Sequence, residues 1–179
     1  MNRKVIIAII ITALLVGGGV YFWNTMAMKK MKVEKDYEFF PVYGPDRDAM
    51  NLEINFYVRI PEKLPVIEKL KIVADKLSRF KFDLPIKVLR IEKRNNRKIA
   101  VINLLECEDT EGNSQKTWSS VYFQGSTGGL FTSMSLRKTF LQEDFEGEWI
   151  DGVEFYYEGE PILEEDWDHI SLSGTIYRR

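Results

Sequence analysis

The chain has 179 residues, with 25 Lys and Arg against 27 Asp and Glu, one His and one Cys. That length accommodates one core plus an appendage, and a 45% hydrophobic content with 13% aromatics is enough to bury such a core. A net charge of −2 argues against nucleic-acid binding, and one Cys with one His excludes an intrachain disulfide framework and a Cys/His zinc site. No cofactor or metal is expected.

Val5 to Trp23 is an uncharged run of 19 residues. As a helix it would span about 28 Å, close to the hydrocarbon thickness of a bilayer. Arg3 and Lys4 precede it, Lys29, Lys30 and Lys32 follow, and Tyr21, Phe22 and Trp23 fall at headgroup depth. Residues 1–23 are therefore expected to be a single N-terminal transmembrane anchor that meets the lipid bilayer through residues 5–23. A cleaved secretory signal is the rival reading, opposed by the bulky aromatics where a cleavage region would lie. The lysines after the run oppose the usual orientation. The very short leading tail favours it, and places the globular domain outside the cytoplasm.

Residues 24–48 read as a juxtamembrane stalk, with Pro41, Gly44, Pro45 and Asp46 as breakers. Residues 49–179 form the expected domain. Leu52, Ile54, Phe56, Val58 and Ile60 alternate as a half-buried strand, and from Val66 the period changes to three and four residues, which predicts an amphipathic helix reaching Phe80. Ile86–Ile91 and Ile99–Leu105 flank Arg94-Asn95-Asn96-Arg97 as a hairpin, and the second run is apolar on both faces, as a central strand would be. A polar loop follows from Glu106 to Thr117. Trp118–Phe123 reads as a short strand, the next helix ends near Gln142, and further strands are expected at Val153–Tyr157 and over Ile170–Ile176. The predicted fold class is α+β, a small mixed or antiparallel sheet with two helices packed on one face.

Between Trp118–Phe123 and that helix lies Gly125-Ser126-Thr127-Gly128-Gly129, whose glycines would let backbone N–H groups receive an anion or other ligand at a helix start. The flanking pattern lacks the Lys of a nucleotide loop and the order of a nucleophile elbow. A structural turn with Ser126 or Thr127 as N-cap is the simpler reading. His169 beside Asp168 does not form a dyad on a strand, because adjacent residues point to opposite faces. Glu164, Glu165, Asp166 and Asp168 lack the spacing of a calcium loop. Cys107 sits between two acids that disfavour a thiolate. No residue is assigned a catalytic role.

Charge is distributed unevenly. From Arg59 to Lys98 there are 13 basic and 5 acidic residues, and from Glu143 to Asp168 there are 12 acidic residues and no Lys or Arg. Either the two segments face different subunits and join copies head to tail, or they lie side by side and neutralise one another. The candidate contact residues are Lys71, Arg79, Arg94 and Arg97 on the basic side, and Glu143, Glu146, Glu164 and Glu165 on the acidic side.

The strand NLEINFYV, the helix PVIEKLKIVADKL, the hairpin IKVLRIEKRNNRKIAVINL, the turn GSTGG before SLRKTFLQ, and the strand GVEFYYEGEPI together resemble the GerMN domain of spore-forming bacteria, over residues 51–162. The resemblance implies an envelope or spore-membrane protein of sporulation or germination, without known catalysis, similar to ring-building motifs and acting by protein–protein interaction with other envelope proteins or with itself. The family's lipid-carrying cysteine is missing here. Two alternatives stand beside this reading. One is a cell-wall or small-ligand binding domain that offers Trp118, Trp149, Trp167 and Tyr156 to glycan. The other is a hydrolase using paired carboxylates.

Overall fold

In the computed structural model, which describes residues 17–23, 36–107 and 116–179, Asn95 and Asn96 both take positive φ, 47° and 64°. Two consecutive residues of that hand make the turn whose twist matches a β-hairpin, and asparagine tolerates it at low cost. The turn joins β3 (Ile86–Arg94) to β4 (Arg97–Leu104), with Arg94 opposite Arg97, Ile86 opposite Leu104 and a bulge between Val88 and Arg90. Before the hairpin come β1 (Tyr37–Pro45), β2 (Leu52–Pro61) and the helix α1 (Val66–Leu77). After it come α2 (Ser126–Leu141), β5 (Gly152–Tyr157), the two-residue β6 (Glu160–Pro161) and β7 (Thr175–Tyr177).

The larger sheet runs β3-β4-β5-β6, with β7 also on β5. β4 and β5 are parallel, and every other pair in this sheet is antiparallel. β1 and β2 form a separate two-stranded sheet. Their connection, residues 46–51, is too short for a parallel crossover, so they are a hairpin. The fold is α+β with a mixed sheet.

Register shows where the core sits. Ala100, Ile102 and Leu104 of β4 are opposite Val153, Phe155 and Tyr157 of β5, and Val88 and Ile86 of β3 stand opposite Ile102 and Leu104. That face shares one buried cluster with Leu70, Val73, Ala74 and Leu77 of α1 and with Leu136, Phe140 and Leu141 of α2. Phe40 and Val42 of β1 and Val58 and Ile60 of β2 complete it. Each fully buried Val, Leu, Ile or Phe of this cluster contributes about 1.5–3 kcal/mol by leaving water. Truncating fully buried Leu70 to Ala would cost about 2–5 kcal/mol.

α1 begins behind Pro65, carries Glu68 in its first turn and Lys76 in its last, and buries Leu70, Val73, Ala74 and Leu77 of the predicted stripe, whereas Phe80 beyond its end is exposed. It runs into a wider turn, Ser78–Phe82, that ends at Asp83 with φ 56°, where the Ser78 hydroxyl donates to the Leu84 carbonyl at 2.7 Å. The expected helix to Phe80 is thus an α-helix to Leu77 with a loosened final turn.

Four expectations are corrected. Residues 37–45, placed in the stalk, form β1, and Phe40 and Val42 are wholly buried, so the domain starts before residue 49. Pro41 is tolerated because its side of the strand faces away from β2. The Tyr43 N–H on that side donates to Thr139 Oγ1 at 3.0 Å, and the Pro41 carbonyl accepts from Gln142 Nε2 at 2.9 Å. Trp118–Tyr122 is a wide helical turn rather than a strand, held by reciprocal bonds between Thr117 and Ser120. α2 starts behind Gly125, φ 67°, and not behind Ser126 or Thr127. The last strand covers only Thr175–Tyr177, while Ile170 and Leu172 are buried without pairing.

The chain divides into two units, Met1–Glu38 and Phe39–Arg179. In the first, residues 17–23 are helical and exposed. The rest of the expected membrane span, residues 24–35 of the stalk and residues 108–115 of the polar loop lie outside the described residues. Among the described residues no helix is long and apolar enough to cross a membrane.

Candidate functional site

Parallel pairing of β4 with β5 sets the end of the basic hairpin beside the acidic segment, with Val101 opposite Glu154. Arg94 reaches both Glu154 oxygens, Nη2 to Oε2 at 3.0 Å, and its Nε donates to Glu92 at 2.7 Å. Arg90 also donates to Glu92, and the Thr175 hydroxyl donates to Glu154. Lys98 Nζ meets Glu148, and the Lys98 N–H donates to Asp151 Oδ2 at 2.7 Å. Register places Arg90, Glu92 and Glu154 on the same face as Ile99 and Val101, opposite the helices. Ile99 and Val101 on that face are nonetheless only 1% and 0% exposed.

The same bonds shift protonation. Hydrogen bonds from Arg90 and then Arg94 hold the Glu92 carboxyl below its usual range, and Lys98 does the same for Glu148. Arg94 is held more firmly protonated, first by Glu154 and then by Glu92.

The other candidate contacts divide clearly. Lys71 pairs with Glu68 at 2.8 Å and Arg79 with Asp75 at 2.7 Å, both on the surface of α1 and its final turn. The Arg97 guanidinium lies over the Tyr177 ring, 4.6 Å from its centre. Glu143, Glu146, Glu164 and Glu165 are all exposed, and among the described residues none of them holds an ion pair. The two charged segments therefore neutralise one another in part, through Arg94–Glu154 and Lys98–Glu148, while Glu143, Glu146, Glu164 and Glu165 hold no such pair among the described residues.

Gly125, Ser126, Thr127 and Gly128 are exposed at the start of α2, with no side-chain cap bond. Gly129 is buried, and a Cβ there would sit 2.7 Å from the His169 carbonyl oxygen. The turn's glycine at 129 thus serves close packing of the helix against the C-terminal segment. His169 and the acids around it are exposed, and Asp166 accepts the Leu163 N–H at 2.8 Å as a local turn. Among the described residues no group of His, Cys, Asp or Glu is placed to hold a metal ion. Cys107 is an exposed free thiol.

The aromatic residues considered for glycan contact lie mostly inside. Trp118 is 0% and Trp149 4% exposed, and their indole N–H groups donate to the carbonyls of Leu105 at 3.0 Å and Phe140 at 2.7 Å. Trp167 packs on Phe123 and Tyr157. Trp118 and Trp149 therefore present no face to a sugar, which corrects that surface.

Two features escaped sequence reasoning. Lys81 is tucked against the β1–β2 hairpin, where its amine donates to Asn55 Oδ1 at 3.2 Å and burial lowers its pKa. A Cβ on Gly44 would collide with both side chains. The second is an open groove of about 500 Å³ between α2 and residues 170–179, with Arg137 and Arg179 on its walls. It joins segments distant in the chain, so no local spacing announces it.

No protein-family model, curated protein or solved structure matches this chain.

Proposed function

We propose that the chain is a membrane-anchored, non-catalytic assembly module of the cell envelope, of the GerMN kind, with its domain outside the cytoplasm and a role in sporulation or spore germination. The observation that carries the reading is that Glu143, Glu146, Glu164 and Glu165 are all exposed and, among the described residues, hold no ion pair. Both helices share one buried cluster with a single face of the sheet, which is the arrangement that economical packing of these elements leads one to expect. Glu92 is tied to Arg90 and Arg94, whose hydrogen bonds lower its pKa and withdraw it from acid–base work at neutral pH, which supports a non-catalytic role.

The surface is narrower than the charge count suggests. Arg94, Lys71 and Arg79 answer acids of their own domain, so the acidic residues seek a basic surface on another copy or on another envelope protein. Complementary potentials of this kind steer and orient association, and salt screens them.

The test is cross-linking of the full-length protein in its native membrane, with isotope-labelled and unlabelled copies mixed. Links from the 143–168 stretch to another protein chain, weakened by high salt and by charge reversal at Glu143 and Glu146, are the expected result. Absence of links, or links indifferent to both changes, overturns the reading. A second reading, recognition of a small envelope ligand, is favoured by the groove beside Arg137.

A further inference from the structure

We propose that the groove between α2 and the C-terminal segment binds a short extended peptide that ends in a free carboxylate. The site does not rest on the assembly reading, because its recognition groups lie on α2 and β7.

One wall is α2. Ser133 Oγ accepts the Ser171 N–H at 3.0 Å, which fixes the C-terminal segment against the helix. Arg137 follows one turn later on the same helix face, is half-buried, and among the described residues holds no hydrogen bond or ion pair. A guanidinium is a rigid fork of five donors that matches the two oxygens of a carboxylate. Most of the domain's other arginines are already engaged. Arg90 and Arg94 meet carboxylates, Arg97 lies on a ring and Arg178 donates to the Gln142 carbonyl, whereas Arg137 faces open space.

The floor is the outer edge of β7. The Arg178 N–H donates to the Asp151 carbonyl at 2.9 Å, and Ile176 stands opposite Val153. Peptide groups alternate in direction along an antiparallel strand, so those of Thr175 and Tyr177 point away from β5. Both residues line the groove. An extended peptide laid there would gain main-chain hydrogen bonds by adding a strand to this edge. Three residues of β7 limit the paired length, and a groove of about 500 Å³ suits a ligand of a few residues.

Charge selects the end. Arg137 and Arg179 give the walls two cations against one acid, Glu164. The excess positive charge favours a terminal carboxylate, and Glu164 disfavours further acidic groups.

The probe is the tripeptide Ala-Ala-Ala, with a free or an amidated carboxyl end, added to the ¹⁵N-labelled full-length chain in detergent micelles. Backbone amide signals of Thr175 and Tyr177 and the Nε–H signal of Arg137 are expected to move on addition of the free acid at millimolar concentration. Amidation is expected to weaken binding about tenfold, the scale of one lost charge-assisted pair. Arg137→Gln is expected to erase the difference between acid and amide while the remaining amide spectrum stays unchanged, and Arg137→Lys to restore part of it. The proposal is overturned if Thr175 and Tyr177 do not move, if acid and amide bind equally, or if the preference survives Arg137→Gln. Should Arg137→Gln disturb the wider spectrum, the acid–amide comparison in the parent chain decides alone.

Discussion

Arg94 and Glu154, 60 residues apart in the chain, meet in a two-bond fork that ties the end of β3 to β5 across β4. Glu154 keeps only 13% of its side chain exposed and also receives the Thr175 hydroxyl, so its charge is answered from two strands. Glu154→Gln leaves the shape but removes the charge. It should lower Tm by a few degrees and loosen β7, and hydrogen exchange at residues 175–177 should report the loosening. Unchanged exchange there would mean that the fork is ornamental.

Acid should weaken the same surface and the β1–β2 turn. The pKa values of Glu92, Glu148 and Asp46 are lowered, by hydrogen bonds from Arg90 and Arg94, from Lys98, and from the Met50 and Asn51 amides respectively. A lowered folded-state pKa means that the unfolded chain binds protons first. The stabilisation is then present above the ordinary carboxylate range and is lost as pH falls through the lowered values. Chemical denaturation should show a declining midpoint below about pH 4, with a shallower decline in Glu92→Gln.

At the alkaline end the sign reverses. Tyr157 is pushed up to about 12 from 10.0, first by burial and then by its hydrogen bond to Glu106. The folded state keeps a proton that the unfolded chain has released, so stability present below 10.0 is lost as pH rises towards about 12. Burial also raises the pKa of Tyr43, so spectroscopic titration should show late tyrosines, and the latest step should be absent in Tyr157→Phe. Glu106 accepts that hydroxyl at 2.7 Å and the Trp118 N–H at 3.0 Å. A double-mutant cycle of Glu106→Ala with Tyr157→Phe should give a coupling of about 0.5–2 kcal/mol.

Two adjacent glycines should respond oppositely. Alanine at Gly128 meets only ordinary contact, 3.8 Å from the Val121 carbonyl, and should stabilise by about 0.5–1 kcal/mol through reduced unfolded-state freedom. Alanine at Gly129 would press on the His169 carbonyl and should cost about 1–3 kcal/mol. Equal effects on thermal denaturation would contradict the packing role of Gly129.

Ser135 is completely buried, and among the described residues its hydroxyl has no hydrogen-bond partner. Removing an orphaned polar atom relieves its desolvation cost, so Ser135→Ala should be neutral or stabilising by up to about 1 kcal/mol. A clear loss of Tm would reveal an unseen partner.

What was legible in the sequence was what local chemistry decides. The Asn95-Asn96 turn, the stripe of α1 and the doubly apolar β4 each follow from a few neighbouring residues. β1 was not legible, because Pro41, Gly44 and Pro45 read as breakers until Thr139 and Gln142 supply the bonds on the proline's side. The opposed charges were visible, but their pairing depends on β5 lying parallel to β4, a relation between segments some 50 residues apart. The groove was hidden for the same reason.

The closing residues of the fold also constrain the order of its birth. β5 gains its outer partner from residues 175–177, and Arg178 then donates to the Gln142 and Phe145 carbonyls just past the end of α2. Residues 175–177 follow β5 in the chain, so a nascent chain that has made β5 but not yet β7 leaves the Gly152–Glu154 end of that strand without its outer partner. Such an edge is a template for wrong pairing. Chains that stall between β5 and residue 175 should therefore depend on a chaperone more than chains that carry β7.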